Sequence, residues 1–176
     1  MKRSAENGMS KWSVCLTILV LLLLGYKGFS QPTTQASSIT ISPIPGSTTS
    51  MRFDWISGTG SNNVIVIVRR TTSSFTPASS TTYTANTNFG AGADIKTGGS
   101  GKAVCVYNGL SSTGNVTVTN IVPTDYTVQI FEYIGAPGSE LYNRNATTSN
   151  PVSFEYYTSS STFTVPSNIN SVTVQA

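Results

Sequence analysis

Between residues 37 and 133 the apolar side chains recur at every second position, and no window repeats them at helical spacing. A period of two sends successive side chains to opposite faces of an extended chain, which restricts this stretch to strands. Met51, Phe53 and Trp55 alternate with Arg52 and Asp54, a half-buried strand. Val64, Ile65, Val66, Ile67 and Val68 are apolar on both faces, the pattern of a central strand. Further strands are predicted over 37–44, with Ile39 and Ile41 on one face, and over 103–107, 115–121 and 126–133. In the last of these Tyr126, Val128, Ile130 and Glu132 share one face, opposite Thr127, Gln129, Phe131 and Tyr133. Pro43, Pro45-Gly46, 58–62, Asn108-Gly109 and Pro123 supply the turns. Many short strands so punctuated predict an all-β fold, a β-sandwich.

One stretch breaks the pattern. Residues 71–102 open rich in Ser and Thr and close rich in Gly, with Gly90, Gly92, Gly98, Gly99 and Gly101. A loop of this length in a compact domain is usually functional or mobile. Tyr83 and Phe89 are the apolar anchors within it, expected to pin the loop to the sandwich. The competing reading makes them ligand contacts, binding residues that stack on sugar rings together with Phe75.

The N-terminus follows a different logic. Lys2, Arg3 and Lys11 precede an apolar run over 14–25, too short for the roughly 20 residues that cross a bilayer. Small residues near Ser30 place a cut between Ser30 and Gln31, the layout of a secretory signal peptide over 1–30. The chain carries a net charge of +3, all of it from this leader. Beyond residue 30 stand six basic residues (Arg52, Arg69, Arg70, Lys96, Lys102, Arg144) and six acidic ones (Asp54, Asp94, Asp125, Glu132, Glu140, Glu155). Without clustered cations to displace counterions from phosphates, nucleic acid is not an expected partner. A single cysteine, Cys105, remains after the leader, so stability must come from a core rather than a disulfide. Flanked by Val104 and Val106, it is expected to be a buried, unreactive thiol.

Catalytic chemistry finds few materials. The chain has no histidine, which removes Ser-His-Asp and Cys-His nucleophile activation and the commonest zinc ligand. No phosphate-cradling glycine motif stands between a strand and a helix. Paired carboxylates remain, with Asp54, Asp94, Glu132 and Glu140 as candidates. Asp54 should face solvent, Glu132 should be a hydrogen-bonded structural acid, and Asp94 alone offers too few hard ligands for calcium. The chain is expected not to be an enzyme and to hold no cofactor or metal.

Trp55 at the end of a second strand, with Ile121 and then Pro123-Thr124-Asp125-Tyr126 opening a later one, resembles a fibronectin type III domain. The resemblance implies an immunoglobulin-like sandwich whose tyrosine hydroxyl bonds back to upstream backbone. The ordered segments 62–69, Tyr83-Thr84-Ala85-Asn86 with Phe89-Gly90, 104–109 and Phe131-Glu132-Tyr133 resemble a variant found in secreted multidomain proteins of Bacteroidetes. The resemblance covers about residues 32–150. It implies a spacer or accessory module, often in proteins that use the type IX secretion route, although no sorting domain is visible here. Residues 151–176, with Ser161-Thr162-Phe163-Thr164-Val165-Pro166 and Ser171-Val172-Thr173-Val174, resemble the opening of a second exported β-domain. Without partners that tail is expected to be poorly packed.

The expected organisation is therefore a signal peptide over 1–30, a fibronectin type III-like β-sandwich over 31–150 and an incomplete β segment over 151–176. The expected role is a non-catalytic, monomeric spacer or adhesion module, secreted or at the cell surface, with no membrane anchor after the leader. The alternative is a carbohydrate-binding accessory to a glycan-degrading enzyme. The partners these readings imply are a surface protein or an extracellular polysaccharide.

Overall fold

The computed structural model describes residues 30–157. Residues 1–29 of the leader and 158–176 of the tail lie outside the described residues. Ten strands follow one another: β1 (Ser37–Pro43), β2 (Met51–Ile56), β3 (Asn63–Arg70), β4 (Ser73–Ser74), β5 (Gly98–Gly99), β6 (Ala103–Leu110), β7 (Asn115–Val118), β8 (Thr124–Ile134), β9 (Leu141–Tyr142) and β10 (Val152–Tyr156). The described residues contain no α-helix, only a 3₁₀ turn at Ser111–Thr113.

The strands form two main antiparallel sheets. One has the order β1-β2-β7, the other β10-β8-β3-β6, with β9 against the far end of β8. Alternation explains how they stack. Met51, Phe53 and Trp55 of β2 face Val64, Val66 and Val68 of β3 and Tyr126, Val128 and Ile130 of β8 in one buried cluster. Burying a side chain of this size contributes about 1.5–3 kcal/mol, so this inter-sheet layer dominates stability. The outer face of the larger sheet carries a second cluster, Ile65, Ile67, Cys105, Phe131, Tyr133 and Tyr142. That explains why β3 reads as apolar on both sides.

The loop over 71–102 covers this second cluster. The β4-β5 ribbon forms its neck, and Phe75, Tyr83 and Ile95 lie on the outer face. It then closes one open side of the sandwich. Asn86 N–H donates to Cys105 O at 2.9 Å and Ile95 N–H to Ala103 O at 2.8 Å, capping the free edge of β6. Phe89 N–H donates to Thr119 O at 3.0 Å, just past the end of β7.

Three departures from the sequence reading stand out. Asn108-Gly109, expected as a turn, lies inside β6 opposite Ile65 and Val64. Its side-chain amide is occupied, donating to Tyr83 O at 2.8 Å and accepting from the Tyr133 hydroxyl at 2.6 Å. The chain turns instead at Ser111–Thr113 and Gly114, whose φ of 70° suits glycine. The strand expected over 115–121 ends at Val118, because Thr119 leaves the ladder to pair with the loop. Val152–Tyr156, placed by the sequence reading in a following segment, is the edge strand of the larger sheet, with Phe154 opposite Tyr126.

The residues after the leader are also part of the fold. Pro32, Gln35 and Ala36 are buried, and Thr34 N–H reaches Thr59 O at 3.4 Å. A Cβ on Gly58 would sit 2.3 Å from Thr34 O, so only glycine admits this strap.

Candidate functional site

The two aromatic residues singled out by sequence point in different directions. Phe89 is 4% exposed and enters the inter-sheet core, edge-on to Tyr126 at 5.3 Å. Tyr83 lies on the other face of the larger sheet, edge-on to Phe75 at 5.2 Å and Tyr142 at 5.9 Å. Its hydroxyl accepts from Ala78 N–H at 2.9 Å. Phe75 is buried too. These three rings form no coplanar exposed platform; each anchors the loop to a core cluster. The loop's turns and bridges carry no period, which is why sequence gave no hint of the face each ring would meet.

The candidate acids are likewise separated. Asp54 forms a bidentate pair with Arg52 on the solvent face of β2, at 2.9 and 3.0 Å to Nε. Asp94 pairs with Lys96 and accepts from Ala103 N–H at 3.1 Å; the Lys96 ammonium leads in holding its carboxyl below the ordinary range. Glu132 is fully buried at one pole of the sandwich. It accepts from Gly58 N–H at 2.6 Å, from the Ser111 hydroxyl at 2.9 Å and from the Ser61 hydroxyl. Trp55 Nε1 donates to Ser111 O at 3.1 Å, which ties the same pole to β2. Glu140 sits under the loop and accepts from the Thr82 hydroxyl. Burial opposes its charge, but that hydroxyl and the N–H groups of Gly138, Ser139 and Glu140 outweigh it and hold the carboxyl below its ordinary range. Burial, followed by the charge of Glu140, raises the Tyr142 phenol above its ordinary value. Glu132 and Glu140 share no partner and lie in different surroundings.

Cys105 is buried, and burial pushes its thiol up to about 12, far from a reactive thiolate. Among the described residues no group of three His, Cys, Asp or Glu converges to hold a metal ion. No helix among them is long and apolar enough to cross a membrane.

Sequence did not single out a set of amides that completes β8. Between β10 and β9 the backbone of Ile130 and Glu132 faces no strand. The Asn150 side chain replaces it, donating to Ile130 O at 2.8 Å and accepting from Ile130 N–H at 3.1 Å. Gln35 accepts from Glu132 N–H at 2.9 Å and donates to Asn143 O at 2.6 Å, while Asn143 N–H reaches Glu132 O at 2.9 Å. A side-chain amide has one donor and one acceptor side, like a peptide unit, so it can stand in for a missing strand residue. No periodic signal marks such a residue.

At the other pole Tyr126 is fully buried. Its hydroxyl donates to Val122 O at 3.0 Å and accepts from Val122 N–H at 3.2 Å. Phe154 stacks on its ring at 5.5 Å, and the Arg70 guanidinium lies 4.8 Å from the ring centre. The expected contact from this hydroxyl to upstream backbone is present. The sequence matches no protein-family model, and no curated protein matches it.

Proposed function

We propose that the chain is a non-catalytic extracellular spacer or adhesion module of the fibronectin type III kind, delivered by a cleaved leader. The observation that carries this reading is where the chain enters and leaves. Gln35 meets Glu132 near one end of β8, and Tyr156 pairs with Thr124 at the other. Eight residue steps along a strand separate these points, about 27 Å at roughly 3.4 Å per step. A unit with entry and exit at opposite poles extends a multidomain chain by its own length.

The family assignment draws support from the routing. The chain crosses between sheets at β2–β3, β6–β7 and β7–β8, in the Greek-key manner of immunoglobulin-like sandwiches. The Tyr126 hydroxyl bonded to Val122 at the start of β8 is a second support. The non-catalytic reading is supported by the acids, each engaged in its own structural contacts. The packing of Tyr83 and Phe89 favours the spacer over the carbohydrate-binding alternative.

Affinity electrophoresis of the chain Gln31–Ala176 through a panel of polysaccharides tests the function. The expected result is mobility unchanged by any polysaccharide. Retardation that disappears in Tyr83→Ala, with the fold intact, would establish the carbohydrate-binding alternative instead. N-terminal sequencing of the exported protein tests the leader and should begin at Gln31.

A further inference from the structure

We propose that residues 161–165 pair antiparallel with β10 and complete the larger sheet as its next strand. The free edge of β10 supplies the first argument. Asn150 contacts the N–H and C=O of Ile130, so the even-numbered residues of β8 present their backbone toward β10. In an antiparallel ladder the directly opposite residues Val152, Phe154 and Tyr156 then bond to β8. Ser153 and Glu155 therefore turn their N–H and C=O groups outward, along an edge that no other described strand pairs with. An open edge of this kind is a template for another strand.

The face of β10 supplies the second argument. Val152, Phe154 and Tyr156 pack against the inter-sheet core but are only partly buried. Ser153 and Glu155 on the opposite face are exposed. The inner row of this strand lacks cover on its outer side.

The remaining chain matches both features. Only residues 157–160 separate β10 from the run Ser161-Thr162-Phe163-Thr164-Val165. A four-residue connection is an ordinary hairpin loop, and it fixes the register. Tyr156 then faces Ser161, Glu155 faces Thr162, Phe154 faces Phe163, Ser153 faces Thr164 and Val152 faces Val165. Phe163 and Val165 fall on the core side beside partly buried apolar residues, and Thr162 and Thr164 fall on the polar side. Pro151 and Pro166 bound the pair at the same end, where neither is required to donate to a ladder. A slip of one residue would turn both threonines inward and Phe163 to water. This assignment makes 161–165 part of the sandwich rather than the opening of a second domain. It also closes an edge that would otherwise invite edge-to-edge association.

Two measurements on the chain Gln31–Ala176 test it. The first is mild oxidation of Ser153→Cys/Thr164→Cys, whose Cα atoms would lie about 5.5 Å apart, within disulfide range. A monomeric cross-link is expected, and its absence would overturn the proposal. The pair Ser153→Cys/Phe163→Cys should stay reduced, since its side chains leave opposite faces; equal cross-linking of both pairs would also overturn it. The second is hydrogen exchange at Ser153 and Glu155. Both amides should exchange at least about tenfold more slowly than in Thr164→Pro, which removes the facing donor while Trp55 fluorescence reports an intact core. Equal rates would overturn the assignment. Protection that grows with protein concentration would do the same, because the strand on this edge would then belong to a second copy.

Discussion

Replacing Glu132 separates a structural acid from a reactive one. The substitution Glu132→Ala leaves the Gly58 N–H and the Ser61 and Ser111 hydroxyls without their acceptor. Each orphaned buried donor costs about 1–3 kcal/mol. Gly58 and Ser61 lie in a partly exposed loop where water can replace the carboxyl, so each contributes about 1 kcal/mol. Ser111 is 3% exposed and contributes about 2 kcal/mol. Lost packing adds roughly 0.8 kcal/mol for the missing methylene, giving about 4–5 kcal/mol in all. Domains have only about 5–15 kcal/mol of stability, so the variant should be close to unfolding at room temperature. Glu132→Gln keeps one carbonyl acceptor and should cost about 1–2 kcal/mol. Urea unfolding of the chain Gln31–Ala176 reads both variants through Trp55, its only tryptophan, whose indole bonds to the same pole. The midpoint should fall with little change in slope. Removing an acid strained for catalysis usually leaves a protein equally or more stable. A loss below about 1 kcal/mol in Glu132→Ala would therefore refute the structural role.

Three further predictions use other parts of the molecule. Asn150→Asp replaces a donor with a carboxylate oxygen facing Ala36 O and Ile130 O, and should lower stability by about 3 kcal/mol or more in urea unfolding at neutral pH. Glu140 has a folded-state pKa below its unfolded value, so its contribution is complete above about pH 4.3 and is lost as pH falls through the folded value. Stability measured from pH 7 down to pH 3 should accordingly drop less steeply in Glu140→Gln than in the parent. Phe89→Ala should cost about 3–5 kcal/mol globally. Tyr83→Ala should cost about 2 kcal/mol and speed proteolytic cleavage within 76–90, because only the outer cover loosens.

Sequence disclosed what periodicity can carry. The faces of β2 and β8 follow from alternation alone: Phe53 and Trp55 are inside, Arg52 is outside, and Glu132 shares the buried face of Ile130. The double-sided character of β3 foretold a covered outer face, but not what covers it. That cover is a loop whose course depends on single contacts, such as Asn86 to Cys105 and Phe89 to Thr119, each specified by tertiary position. Asn108-Gly109 misleads for a related reason. The pair has strong turn propensity, yet cross-strand pairing and two side-chain hydrogen bonds hold it extended. Glu140 and Asn150 stand in short irregular segments, where a polar residue at the surface and one under a lid look alike in sequence.

The polar residues of this chain share a purpose that explains its sparse chemistry. β8 needs partners along both edges, and β10 and β9 cover only the ends of one. Asn150, Gln35 and Asn143 fill the gap with neutral amide contacts, and Glu132 collects donors from two loops at the same pole. The described residues contain just two ion pairs, both at the surface, so charge does little to hold the layers together. Neutral hydrogen bonds and apolar packing are only weakly sensitive to ionic strength, whereas surface ion pairs are screened by salt. A unit built this way keeps its shape across changing external conditions, and it leaves few groups outside with which to bind or react. The chemical plainness and the rigidity therefore have one origin: polar groups engaged with backbone inside are not available to a ligand outside.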